Sequence, residues 1–242
     1  MSGHSRWTQI KHKKGAVDAK RGLVFGKLIR EITVAAREAG TNPDANARLR
    51  AAMERGREAG LPKDNIARAL ERASGKGAGG ELFEFLYEAV VPHGVSILIE
   101  GITDSKNRTL AEIKHLLNER GCRLAEPGSL SWNFERVGTL MIRTPTTGTI
   151  TREDVEAAII GSGASDFRAE DGDWLVETPA AERERVRAAL EAGGVAVAQA
   201  EHDYKPRAPL TLGPEERTAL DPLLDALTDH PDVLEVYTNL RE

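Results

Sequence analysis

The sequence predicts an α+β protein: a helical N-terminal domain followed by two ferredoxin-like α/β sandwich domains, one inserted in the other. Three observations lead there. Apolar residues recur at helical spacing up to about residue 73, whereas strand-like and helical stretches alternate from residue 82 onward. A glycine-rich segment, Ser74 to Gly80, separates the two regimes. The charge also inverts across it. Residues 1–76 carry 17 basic and 8 acidic side chains, net +9, while the other 166 carry 16 basic and 30 acidic, net −14, in a chain of net charge −5. Such asymmetry points to a polyanion-binding module attached to a body that phosphates repel.

Taken in order, the first helix has an apolar stripe of Phe25, Leu28, Ile29, Ile32 and Ala36, with Lys20 and Lys27 opposite it and Arg30 and Arg37 on its flank. Arg21 falls near the apolar side, so either regular helix begins near Gly22 or the arginine snorkels out. Asn42-Pro43-Asp44 offers an N-cap, a first-turn proline and an early acid to a second helix. Its stripe of Ala45, Leu49, Ala52, Met53 and Gly56 is mostly small and permits close crossing. Gly60 stops that helix, Pro62 helps open a third, and Ile66 and Leu70 give the third its buried side. Helices this short bury little surface, so this domain is expected to be the least stable part of the chain.

In the glycine-rich segment, Gly75, Gly77 and Gly80 match G-x-G-x-x-G. A dinucleotide fingerprint needs a strand before it and a helix after it. Here the order is reversed, and a flexible linker is expected. Beyond it, 82–91 and 95–102 read as strands around Pro92-His93-Gly94. A helix over 109–120 turns Leu110, Ile113, Leu116 and Leu117 inward and stops at Gly121, and 130–135 reads as a strand. From Gly138 the pattern is strand 139–144, helix 152–160, strands 164–169 and 173–178, helix 181–192 and strand 195–200, a complete βαββαβ unit. Helix 214–229 and strand 233–239 supply the αβ that the earlier ββαβ lacks. The expected domains are therefore 1–80, then 81–137 with 205–242, and an inserted 138–204.

The functional signal is concentrated at the start. Among the first 37 residues nine are Lys or Arg and two are acidic. His4, Ser5, Arg6 and Trp7, then Lys11, His12, Lys13 and Lys14, interleave charge, imidazole and an aromatic ring, the mixture that phosphate neutralisation and base stacking require. Lys20, Arg21, Lys27 and Arg30 extend that basic surface along the first helix. Trp7 reads either as a base-stacking ring or as an anchor for its own domain. A second candidate patch is the strand end before the 109–120 helix. There free backbone N–H groups with Lys106 and Arg108 suit phosphate and Asn107 suits a base or ribose, although Asp104 or Ser105 can equally be a plain helix cap. Arg48, Arg50, Arg55 and Arg57 flank the second helix and read either as base contacts or as a solvated face.

Other classes are disfavoured. Cys122 is the lone cysteine, so no intramolecular disulfide or cysteine-based zinc cluster can form, and a reducing, cytoplasmic setting is expected. No signal-peptide core is evident, and no apolar run approaches the ~20 residues of a membrane span. His4 and His12 lack carboxylate or thiol companions for a metal. His115 and Cys122 offer no evident nucleophile and base pair, and Asp171 and Asp173 around Gly172 suit a hairpin turn. No catalytic residue, metal, cofactor or small-molecule substrate is expected, and a ligand-sensing role rests on fold analogy alone.

Met1-Ser2-Gly3-His4-Ser5-Arg6-Trp7, Ile10-Lys11-His12-Lys13-Lys14, Asp18-Ala19-Lys20-Arg21-Gly22, Phe25-Gly26-Lys27-Leu28-Ile29-Arg30-Glu31-Ile32 and Asn46-Ala47-Arg48-Leu49-Arg50 resemble the opening of the YebC/PmpR family. Thr103-Asp104-Ser105-Lys106-Asn107-Arg108-Thr109 and Gly128-Ser129-Leu130-Ser131-Trp132-Asn133-Phe134 resemble two further family motifs. Val90-Val91-Pro92-His93-Gly94 departs from the family's usual Tyr-Gly-Pro turn, and Ser105 replaces a usual Asn. The resemblance implies a cytoplasmic three-domain protein with a regulatory, non-catalytic role. Bacterial members are generally described as DNA-binding transcriptional regulators. A mitochondrial relative is a translational activator, and some bacterial relatives look like ribosome-associated factors that aid synthesis of proline-rich stretches. The expectation is thus a nucleic-acid-binding regulator, with DNA as ligand and, as the alternative, ribosomal RNA or the ribosome. An extended basic arm suits RNA. A monomer without membrane association is expected.

Overall fold

The computed structural model describes residues 17–75, 80–143, 151–170 and 172–241, without the side chains of 17–20 and 170. Helices α1 (Val17–Ala39), α2 (Ala47–Glu58) and α3 (Lys63–Ala73) come first. Next are β1 (Phe83–Val91), β2 (Val95–Thr103), α4 (Lys106–Asn118), β3 (Arg123–Leu124) and β4 (Phe134–Ile142). The chain continues through α5 (Arg152–Ser162), β5 (Asp166–Glu170), β6 (Asp173–Pro179), α6 (Arg183–Ala192), β7 (Val197–Pro206), α7 (Pro214–Thr228) and β8 (Val233–Thr238). Contacts divide the chain into two compact units, one extending to Glu135 and resuming at Tyr204, the other spanning Arg136–Asp203. The helical segment and the first sheet thus belong to the same unit.

The stripe expected on α1 is buried. Leu28, Ile32 and Ala36 pack with Leu49, Ala52 and Met53 of α2 and Ile66 and Ala69 of α3. Crossing is close because Gly56 meets Ile32 and Leu61, where an added Cβ would lie 3.3 Å from Leu61 Cδ2. The cap of α2 differs from the expected one. Asn42-Pro43-Asp44 forms a turn, in which Asn42 Oδ1 accepts the Asp44 N–H at 3.1 Å. Asn46 is the N-cap, and its Oδ1 accepts the Leu49 N–H at 3.0 Å. Its Nδ2 donates to the carbonyls of Ala35 (2.8 Å) and Gly40 (2.9 Å), so one buried amide serves the end of α1 and the start of α2 together.

In the first unit the sheet order is β3-β1-β2-β8, with the β1–β2 hairpin at its centre. Its turn is Pro92-His93-Gly94, in which His93 (φ 64°) and Gly94 (φ 81°) are both left-handed. Helices α4 and α7 cover one face through Ile113, Leu117, Leu223 and Leu227. On the other face Leu98 and Tyr237 meet Phe134 and Tyr204, where the chain leaves this unit and returns to it. The second unit has the order β5-β6-β4-β7, so that each helical crossover passes over one intervening strand, the βαββαβ circuit read from the sequence.

Two strand expectations are corrected. Ser131–Asn133 is a 3₁₀ turn, not the body of a strand, and β4 runs unbroken through Gly138. Gly138 is there for space: a Cβ would come within 2.8 Å of Arg183 Cβ and 2.9 Å of Thr178 Cγ2. Two-residue β3 was not foreseen. Gly172, at φ 89°, turns the β5–β6 hairpin as its composition suggested.

Two outcomes are expected. Residues 136–203 expressed alone unfold cooperatively in denaturant, whereas 80–135 alone, lacking α7 and β8, give no cooperative transition. Gly101 sits at the β2–β8 register shift, where a Cβ would overlap the Asp232 carbonyl oxygen and lie 2.7 Å from Phe85 Cε1. Gly101→Ala therefore lowers stability by about 1–3 kcal/mol, read from its denaturation midpoint.

Candidate nucleic-acid interface

His4, Ser5, Arg6, Trp7, Lys11, His12, Lys13 and Lys14 lie outside the described residues, as does the side chain of Lys20, whose backbone is in α1. Arg21 is exposed, and its guanidinium lies 5.3 Å from the Phe25 ring centroid. It snorkels across the apolar side of a helix that has already begun at Val17.

Lys27 overturns its expectation. It is 5% exposed, and its Nζ donates to the Thr228 carbonyl at the end of α7 over 2.6 Å. A lysine opposite the helical core looked solvated, but that side of α1 meets the α/β layer instead. The lysine is thereby removed from the phosphate-binding set. Arg30 follows the same course, donating to the Pro231 carbonyl at 2.6 Å and pairing with Asp232 Oδ1 at 3.4 Å.

Asp232 also captures the second patch. Its Oδ2 accepts from Arg108 at 2.6 Å, Thr109 Oγ1 at 2.6 Å and Thr103 Oγ1 at 3.1 Å, in a side chain 1% exposed. Burial alone would raise this carboxyl's pKa. The hydrogen bonds from Thr109 and Arg108, and the charges of Arg30 and Arg108, outweigh burial and hold it below its ordinary value. Two arginines expected on separate phosphate sites thus converge on one internal carboxylate. Arg108 also meets Asp104 at 3.0 Å and Glu112 at 3.8 Å, while its side chain stays 45% exposed. It is a tether with one side open to solvent.

The rest of that patch stays on the surface. Lys106 is exposed with its Nζ 4.5 Å from the Phe83 ring centroid, and Asn107 is exposed beside it. Neither Asp104 nor Ser105 caps α4 through its side chain. Instead the Ser105 N–H donates to Thr103 Oγ1 at 2.9 Å. On α2, Arg48 pairs with Glu38 (2.8 Å) and Glu84, and Arg55 pairs with Glu31.

One exposed feature was missed. Trp132 is 70% exposed on a loop whose backbone is gripped by buried Glu88. The sequence carried it only as part of a family motif, since no local pattern reveals that an aromatic in an apolar-looking segment faces water.

Fold and surface define a modular protein in which a basic helical segment is anchored onto the α/β layer of its own unit. The TACO1/YebC N-terminal domain profile matches residues 5–76, and the profile of the TACO1/YebC second and third domain matches residues 82–240. A probable transcriptional regulatory protein of Caldanaerobacter subterraneus subsp. tengcongensis is 39% identical over 240 residues, covering 99% of this chain and 98% of its own. One from Thermomicrobium roseum is 42% identical over 241 residues, covering 99% and 96%. The crystal structure of a conserved hypothetical protein of Aquifex aeolicus superposes with TM-score 0.86 at 36% identity, covering 98% of this chain and 97% of that one. The chain belongs to the TACO1/YebC family.

The tether titrates in acid. Because the folded Asp232 pKa is depressed, its contribution is present above the unfolded value near 3.8 and is lost as pH falls through the lower folded value. Thermal melting from pH 7 to pH 2.5 should drop more steeply below about pH 4 for the native chain than for Asp232→Ala. At pH 7 that substitution strips Thr103, Thr109 and two guanidiniums of their acceptor and costs about 2–3 kcal/mol.

Proposed function

We propose that this protein is a non-enzymatic regulator of gene expression that binds nucleic acid through its basic N-terminal segment, with DNA binding and transcriptional control as the first reading. The carrying observation is the charge asymmetry: nine Lys/Arg against two acids in residues 1–37, followed by a strongly acidic remainder. Since Lys27 and Arg30 are engaged internally, phosphate binding falls to Arg6, Lys11, Lys13, Lys14, Lys20 and Arg21, with His4, Ser5 and His12 as hydrogen-bonding partners and Trp7 as a stacking ring. The transcriptional element is supported by the names its relatives carry.

Ribosomal RNA is the second reading. It is supported by the ion pairs of Arg48 and Arg55, which occupy two of the four α2 arginines that a major-groove recognition helix would need free for base edges. The non-enzymatic element is supported by Cys122. Burial pushes its thiol pKa up, opposite to an activated nucleophile, and His115 is 72% exposed beside Glu119. No helix among the described residues is long and apolar enough to cross a membrane.

The test is a salt titration of the full chain on duplex DNA and on a ribosomal RNA fragment. If four phosphates are neutralised, log K falls against log salt with a slope of about 3–4, and replacing Arg6, Lys11, Lys13 and Lys14 by Gln removes most of it. Unchanged affinity in that variant overturns the proposal. A duplex preferred over random sequence by more than ~10³ selects transcription.

A further inference from the structure

Trp132 is 70% exposed, and two independent features make it a presented ring. Its only polar atom is already satisfied, because Nε1–H donates to the Ser129 carbonyl of its own loop at 2.7 Å. What faces solvent is aromatic surface. The loop is held as well. Glu88, 4% exposed on β1, accepts the N–H groups of Gly128 (2.7 Å), Leu130 (2.5 Å) and Ser131 (3.2 Å), while its own carbonyl accepts the Ala125 N–H at 2.8 Å. A buried carboxylate used this way fixes the backbone under the indole, so little ordering remains to oppose binding.

Two arginines lie on segments next to the loop. The β1–β3 register sets Arg123 opposite Val90, on the Glu88 face of the sheet, and it is exposed. The Arg207 N–H donates to the Asn133 carbonyl at 2.7 Å, next to the tryptophan, and its guanidinium, 58% exposed, pairs with the equally open Glu135 at 3.8 Å. Glu126 and Glu135 lie on the same segment, so local charge is nearly balanced and the ring itself is the distinguishing chemistry.

We propose that Trp132 is a stacking platform for an unpaired base of single-stranded nucleic acid, with Arg123 and Arg207 reaching the flanking phosphates. This second contact lies 95 residues beyond the end of the basic segment at residue 37. It rests on the nucleic-acid reading above and narrows that reading to ligands with at least one unpaired base. A stacked base contributes affinity with little salt dependence, whereas the basic segment sets the salt slope.

The experiment uses the full chain, a mixed-sequence single-stranded RNA of 20 nucleotides and an abasic ribose-phosphate strand of equal length. Trp132→Ala should weaken RNA binding about fivefold to a hundredfold, leave the salt slope and abasic binding unchanged, and keep the melting temperature. Trp132→Phe should retain most of the affinity. Wild-type affinity in Trp132→Ala, alongside lost binding in the Arg6, Lys11, Lys13 and Lys14 variant, overturns the platform and leaves the functional reading standing. Equal loss on RNA and on the abasic strand also overturns it. No binding of either strand or of duplex DNA by the native chain overturns both. A dimer that Trp132→Ala converts to monomer in sedimentation, with RNA affinity unchanged, makes the ring a self-association contact instead.

Discussion

The carboxylate of Asp232 is the constraint on which the first unit depends. It sits beneath the surface with hydroxyls of Thr103 and Thr109 against one oxygen and guanidiniums from α1 and α4 around it. Its backbone is equally committed, since its carbonyl accepts the Ile102 N–H at 2.9 Å and its N–H donates to His230 Nδ1 at 3.1 Å. A residue so placed joins the end of β2, the start of α4, the entry to β8 and the N-terminal helix at one point. An ionised group is tolerated there because Oδ2 is met by hydroxyl and guanidinium donors and the Arg30 guanidinium lies 3.4 Å from Oδ1.

That arrangement changes how the basic segment should be understood. Formal charge counts Lys27, Arg30 and Arg37 with the arm, but two of the three act as fasteners. Lys27 also satisfies a carbonyl at the end of α7, where carbonyls lack helical partners and a cation meets the negative end of the helix dipole. Positive charge available to a ligand is consequently weighted toward the residues before α1. The remainder of the chain, residues 77–242, is acidic, with 16 basic and 30 acidic side chains.

Much of the architecture was legible because it follows from periodicity. The α1 stripe, the hairpin around Pro92-His93-Gly94 and the βαββαβ unit each bury what local spacing said they would. The misreadings share a cause. Lys27 was placed correctly on its helix and wrongly in the molecule, because a helical wheel knows one packing surface and α1 has two. Asn42 satisfied every local rule for a cap, yet Asn46 holds the position because its amide also reaches carbonyls at the end of the preceding helix. Gly138 looked like a break and is a close approach inside a strand. Arg108 was weighed as a phosphate ligand or a solvated base, and besides its neighbours Asp104 and Glu112 it holds a carboxylate 124 residues away. The candidate site was the least legible part, since charge identifies a cation but not whether a distant carboxylate has claimed it.

The attachment of α1 also has an order in time. Lys27 and its acceptor at Thr228 are separated by 201 residues, and Asp232 comes later still. On a growing chain the N-terminal helices can assemble, and residues 136–203 can close their own sheet, before the seat for α1 has been synthesised. Until α7 and β8 emerge, the Thr228 and Pro231 carbonyls and the Asp232 carboxylate that receive Lys27 and Arg30 do not yet exist. Closing that seat is therefore among the last events of synthesis.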